Sequence, residues 1–208
     1  AEAAAGATPV AALYWYANIF LCHPSVPANT IQELVAYAKQ NPGKLTNASS
    51  SNGSPGHVGA ELFKSMAGID AVHVPYRGGA SATTDLIAGR VTFMFESLNS
   101  ISPHVRSGSV RGLAVSGEHR SAGFPDIPTV AEAGVPGYES GIWLGLMAPK
   151  GTPTDILKTL NQALTKALGS AALKDKFQQL GATIFYLLDH PDRVKLCWHN
   201  DCPASCLP

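Results

Sequence analysis

Charge of one sign is missing from this 208-residue chain: fifteen Lys and Arg balance fifteen Asp and Glu, and charged residues make up only 14%. A nucleic-acid binder normally carries a basic excess or stripe, so that class is excluded. No run approaches the ~18 consecutive apolar residues of a membrane-spanning helix. The N-terminus, AEAAAGATPV, lacks the basic n-region and apolar h-region of a secretory signal. A cytosolic protein, a processed one and a chain that begins partway would all read this way. Cysteine is too sparse and too lopsided for a disulfide framework: Cys22 stands alone, while Cys197, Cys202 and Cys206 crowd the last dozen residues. Catalytic signatures are absent as well. There is no G-x-S-x-G elbow, no phosphate-binding G-x-x-x-x-G-K-[ST] and no G-x-G-x-x-G fingerprint, so an enzyme reading has no motif behind it.

What is present is ample core material, 45% apolar, with twenty Gly and fifteen Pro. That many breakers do not suit a helical bundle but do suit many short connections. The chain alternates strand-like and helix-like runs. ANIFLCHP (17–24) is a strand stopped by Pro24. Thr30-Ile-Gln-Glu33 is a capping box, followed by apolar residues at helical spacing until Asn41-Pro42-Gly43. Strands are expected near 45–49, 71–75, 91–96, 111–116, 141–149 and 182–188. Helices are expected after Ser54-Pro55, with Val58, Leu62 and Met66 lining one face, at 83–88, and from Thr152-Pro153 to Leu168. A helical turn is read in 102–108, a small helix at Val130–Ala133, and another helix through Leu173, Phe177 and Leu180. The stripe Ile156, Leu157, Leu160, Ala163, Leu164, Ala167 and Leu168 predicts burial against a sheet or a second copy of the chain. Strands alternating with helices predict an α/β protein with a largely parallel sheet, and residues 28–115 a compact unit.

Two loops stand out for chemistry. Ser49-Ser-Ser-Asn-Gly-Ser54 leads from a strand into a capped helix, an arrangement that offers backbone amides to an anion at the positive helix end. Val74-Pro-Tyr-Arg-Gly-Gly79 follows the next strand and adds an aromatic ring, a guanidinium and two glycines. In open α/β sheets ligands bind outside such strand ends, so two consecutive loops of this kind suggest an anion-binding cleft. A metal site is conceivable in the tail at Cys197, His199, Cys202 and Cys206, but the spacing fits no zinc module and incidental cysteines are the plainer reading.

The run from Pro24 to Pro153 closely resembles the substrate-binding receptors of tripartite tricarboxylate transporters, the Bug receptors. The resemblance is carried by PSVPANTIQELVAYAKQNPGKL (24–45), ASSSNGSPGHVGAELFKSMAGID (48–70), VHVPYRGGASATTDLIAGRV (72–91), FPDIPTVAEAGVPGY (124–138) and LMAPKGTP (146–153). It implies a two-lobed, Venus-flytrap α/β fold of the periplasmic-binding-protein type, with the second lobe complete and the first partial. It also implies a periplasmic location and a small carboxylate ligand, with no catalysis, cofactor or metal. The implied partners are that ligand and the membrane permease subunits of the transporter, with self-association through the exposed remnant of the first lobe, and no nucleic acid.

Carried over residue by residue, the ligand would meet Ser50, Ser51, Asn52, Gly53 and Ser54, then Pro75, Tyr76, Arg77 and Gly78, and Glu96 where such receptors usually show Asp. Ser51 replaces a glycine of the usual loop, so its geometry should differ if that position needs a positive φ. The domain expectation is a first-lobe remnant at 1–23, the second lobe at 24–140, first-lobe strand and helices at 141–190, and an atypical Cys-containing tail at 191–208. The pattern is entered late, near Thr8-Pro9-Val10, and fades after Thr183, as in a truncated receptor. The competing reading is a small hydrolase using Ser/His chemistry on a remnant of this fold; a third is a structural fragment that binds nothing.

Overall fold

The computed structural model describes residues 6–179 and 182–184. Its described residues divide into two compact units: Tyr16–Ile142, and a second made of those up to Trp15 together with those from Trp143 on. Sequence alone sets these limits after residues 23 and 140. The Cys-containing tail, the possible metal ligands in it and most of the strand expected at 182–188 lie outside the described residues.

The larger unit is built on a sheet of order β3-β2-β4-β1-β5, from β1 (Ala7–Cys22), β2 (Thr46–Ser49), β3 (Val72–Pro75), β4 (Phe93–Ser97) and β5 (Arg111–Val115). Strand β2 is parallel to both β3 and β4. Strand β1 is antiparallel to both its neighbours, β4 and β5. The sheet is therefore mixed rather than largely parallel. Hydrophobic runs report which faces are buried but not which way a strand points, so the direction of β1 was not encoded in the pattern that revealed it.

Both faces of the sheet are covered. On β1, Phe20 and Cys22 face one core with Phe63, Phe93, Phe95 and Leu34, while Ile19 and Leu21 face the other with Leu86, Met94, Leu98 and Ile101. This period-two alternation with burial on both sides is why 19–22 reads as an unbroken apolar run. Phe20 is the centre of the first core. Its ring stacks on Phe93 at 5.0 Å between centroids and meets Phe63 and Phe95 edge-on at 4.9 and 4.7 Å. Cys22 is fully buried beside it, and burial pushes its thiol pKa up to about 12.

Helices α1 (Ile31–Gln40) and α2 (Pro55–Ala67) cover the Phe20 face; α3 (Gly79–Ile87) and α4 (Leu98–Arg106) cover the opposite face. The capping box of α1 forms: Thr30 Oγ1 accepts from the Glu33 amide at 3.1 Å, and Glu33 reaches back to the Asn29 amide at 2.6 Å. Three helix expectations need correction. Helix α3 begins at Gly79, four residues ahead of the expected start, because Gly78 caps it without a side chain and leaves no capping signal in the sequence. Helix α4 is longer than the expected turn. The expected helix at Val130–Ala133 is a capped turn, in which Thr129 and Glu132 bond each other's amides at 2.8 and 3.1 Å.

Val58, Leu62 and Met66 do share one face of α2, and that face looks outward. The buried side is Gly59, Ala60 and Phe63. Close approach decides this. A Cβ on Gly56 would sit 2.6 Å from the Phe95 carbonyl, and one on Gly59 3.3 Å from the Tyr138 hydroxyl, which donates to the Gly59 carbonyl at 3.0 Å. Small residues bring the helix onto the sheet beside Phe63, while Val58, Leu62 and Met66 point away.

In the smaller unit the first half of β1 pairs with β6 (Gly141–Pro149) and β7 (Ala182–Ile184), accompanied by α5 (Thr154–Leu168) and α6 (Ala171–Gln179). Asn161 Nδ2 donates to the Val10 carbonyl at 2.8 Å, and Tyr14 packs on Phe177 at 4.7 Å between centroids. The expected stripe of α5 is not buried within this chain: Leu168 is buried, Leu157 and Leu164 are half-buried, and Ile156 and Leu160 are exposed. No helix among the described residues is long and apolar enough to cross a membrane.

Candidate ligand-binding site

Because β2, β3 and β4 run the same way, their C-terminal ends at Ser49, Pro75 and Ser97 open on one edge of the sheet. The loops that follow them are the two singled out from sequence, and the structure ties them together. The Tyr76 amide donates to the Ser49 carbonyl and the Gly78 amide to the Ser50 carbonyl, each at 2.9 Å.

The first loop is organised around one acceptor. The Ser51 carbonyl receives the Ser49 hydroxyl at 2.9 Å, the Ser54 hydroxyl at 2.8 Å and the Ser54 amide at 3.3 Å. Gly53 supplies a left-handed residue, φ 74°, a conformation that costs glycine little. The Ser54 hydroxyl also accepts from the His57 amide at 3.4 Å, which caps α2 behind Pro55. Of the four amides from Ser51 to Ser54, those of Gly53 and Ser54 are therefore engaged: Gly53 N donates to His57 Nδ1 at 2.9 Å and Ser54 N to Ser51 O. Ser51 and Asn52 are exposed, and their amides meet no partner among the described residues.

In the second loop Pro75 and Arg77 are exposed. Tyr76 is held from the far side: its hydroxyl donates to Asp85 Oδ2 at 2.8 Å, and Arg90 holds Oδ1 at 2.7 Å. Burial and then the Asp85 carboxylate raise the pKa of the Tyr76 phenol, while the Tyr76 hydroxyl and then Arg90 lower that of Asp85. Tyr76 thus fixes the loop with its polar atom already used. Gly78, at φ 132°, turns the chain into α3. Glu96 completes the cluster. Its Oε1 accepts from the Ser97 amide at 2.8 Å, and its Oε2 lies only 2.6 Å from where a Cβ on Gly79 would stand. Glycine at 79 is what lets this carboxylate lie against the first turn of α3.

Three residues to which sequence assigns no role of their own organise these loops: Ser49, His57 and His73. The His57 and His73 rings stack at 3.8 Å with 9° between planes, and His73 Nε2 lies 2.7 Å from Ser49 Oγ. Sequence offers little signal for this contact. It depends on β2 and β3 being parallel and in register, and on α2 lying over them. The Ser49–His73 pair also bears on hydrolase chemistry. Ser49 is fully buried and spends its proton on the Ser51 carbonyl. A nucleophile needs an exposed hydroxyl whose proton goes to the base.

The comparisons agree with this architecture. Residues 3–197 match the model of the tripartite tricarboxylate transporter family receptor, so the match starts before Thr8 and runs on past Thr183, where the resemblance was expected to fade. The UPF0065 protein in the tcbD-tcbE intergenic region of Pseudomonas sp. (strain P51) is 39% identical over 161 residues, 75% of this chain and 48% of that protein. R. palustris Rpa4515, solved with adipate, superposes with a TM-score of 0.87 at 35% identity, covering 95% of this chain and 65% of that one. MatC (Rpa3494) from Rhodopseudomonas palustris, solved with bound malate, gives 0.83 at 28% identity, covering 94% and 67%. The chain spans about half the length of the curated relatives it matches. The mixed α/β fold is that of periplasmic binding proteins, and the chain belongs to the tripartite tricarboxylate transporter receptor family.

Proposed function

We propose that this chain captures a small carboxylate metabolite for a tripartite tricarboxylate transporter, working in the periplasm as a binding protein without catalysis. The observation that carries the reading is the joined pair of βα loops at the edge shared by β2, β3 and β4, beside Glu96. The ligand's carboxylate would lie at the N-terminus of α2, against the Ser51 and Asn52 amides. Gly53 and Ser54 would shape the loop rather than donate. Ser50, Pro75, Tyr76, Arg77, Gly78 and Glu96 would complete the surroundings. Adipate and malate in two solved relatives support a dicarboxylate.

A helix end contributes ~0.3–1 kcal/mol at an exposed site. Hydrogen bonds from amides to a charged group add ~1.5–3 kcal/mol each. The two amides therefore dominate the helix term. The permease subunits of the transporter are the proposed downstream partner. The exposed apolar side chains of α5 and β6 favour self-association of this chain.

Calorimetric titration with mono-, di- and tricarboxylates tests the reading, with Ser54→Pro as control, since that change removes both the cap and the Ser54–Ser51 hydrogen bond. Dicarboxylates should bind the native chain, and the control should lose at least tenfold in affinity. Equal response from both proteins, or no binding at millimolar ligand, overturns it. The hydrolase alternative predicts turnover of carboxylate esters, for which the buried Ser49 is poorly suited.

A further inference from the structure

We propose that His57 is a positioning residue of the Ser50–Ser54 loop and that it holds the loop only while its imidazole is neutral, with His73 as the second half of this latch. The Gly53 amide can only donate, so His57 Nδ1, 2.9 Å away, must present its lone pair. The ring is then the neutral form carrying its proton on Nε2, which faces Glu61 Oε1 at 3.8 Å. A second proton would have to go on Nδ1, where it would meet the Gly53 N–H head-on. The hydrogen bond would be replaced by repulsion, and the left-handed apex of the loop would lose its tether to α2.

His73 acts on the same loop from below. The Ser49 hydroxyl donates to the Ser51 carbonyl, so it accepts from His73 Nε2–H at 2.7 Å. The two rings lie face to face at 3.8 Å, which opposes charging both at once. The charged groups facing the pair are Glu61 and Lys64, both on α2 and joined at 2.7 Å, while β2 contributes the Ser49 hydroxyl. Burial, and then the neighbouring His57, hold the His73 pKa below the ordinary histidine value. The latch acts on the loop whether or not a carboxylate binds there.

The test is a pH titration of the full chain by NMR from pH 8.5 to 5, following the Gly53 amide and the His57 ring together. The Gly53 amide shift should move with the His57 ring titration, and its exchange protection, corrected for the intrinsic rate, should fall at least tenfold. In His57→Asn the side-chain oxygen accepts at every pH, so the loop should stay closed with a flat profile. In His57→Ala protection should be low throughout. A Gly53 profile that is flat in the native chain, or one that persists unchanged in His57→Asn, overturns the proposal. Those two profiles decide it even if His57→Ala fails to fold.

Discussion

The two units bury their chains very differently. Tyr16–Ile142 has a sheet covered on both faces, with Phe20, Phe63, Phe93 and Phe95 interlocked on one side and Leu21, Leu86, Met94 and Ile101 on the other. In the smaller unit the buried apolar residues among those described are Val10, Ala11, Ala148 and Leu168, while Trp143, Met147, Ile156 and Leu160 are exposed. Yet α5 has the cleaner amphipathic stripe, and α2 buries only Gly59, Ala60 and Phe63. An amphipathic pattern states which face of a helix needs cover. Whether cover exists depends on what else packs there, and how closely a helix approaches depends on its small residues as much as its large ones.

The sharpest way to break this comparison is to truncate one apolar side chain in each unit. Phe20→Ala removes a fully buried ring that touches three other aromatic rings and should cost ~3–5 kcal/mol. Ile156→Ala, at a position 47% exposed, should change stability by no more than ~0.5 kcal/mol. Urea unfolding followed by near-ultraviolet circular dichroism measures both. Similar losses from the two variants would show that the smaller unit is as tightly packed as the larger.

The same contrast explains what was legible in the sequence. Strands β2 to β6 could be placed within about two residues because each is a short apolar run between turn residues. The first half of β1 was not recognised: residues 7–16 mix small, aromatic and β-branched types without strict alternation. The start of α3 was hidden because Gly78 and Gly79 are poor helix formers chosen for a turn and for the approach of Glu96. At the site, the Ser/Gly-rich loops were readable from chemistry local to each loop. The stacking of His57 on His73 and the Ser49–His73 hydrogen bond were not, since they join residues 16 and 24 positions apart in the sequence.

Alkaline pH offers a second, smaller contrast. Burial raises the Cys22 thiol from 9.0 to about 12, so below pH 9 folded and unfolded chains both keep the proton and stability is unaffected. Above pH 9 the unfolded thiol ionises while the folded one does not. Stability should therefore fall by up to about 1.4 kcal/mol per pH unit as pH climbs toward 12. Tyr138, also raised by burial, adds to the loss from about pH 10 upward. Both groups belong to Tyr16–Ile142, so this loss is expected from the larger unit. Cys22→Ala should be less stable at neutral pH but show a shallower alkaline decline. An identical slope in native chain and variant would mean that Cys22 is not the group responsible.

The smallest expected effect belongs to the exposed stripe of α5. Ile156 and Leu160 lie one helical turn apart, so their side chains share a face and together present apolar surface to water. Covering that surface with a second copy would return part of ~25 cal/mol per Å² of apolar area, against the entropy lost on association. The balance favours weak dimers that appear only as concentration rises. Light scattering coupled to size exclusion should show the native chain's mass increasing with loading. Ile156→Asp combined with Leu160→Asp places two carboxylates on the contact face without touching a buried position, and should weaken association at least tenfold, about 1.4 kcal/mol. Unchanged unfolding of the double variant would separate this effect from misfolding. If the native chain stays monomeric at high loading, the stripe does not mediate self-association, and α5 is an exposed helix whose pattern is satisfied by no copy of this chain.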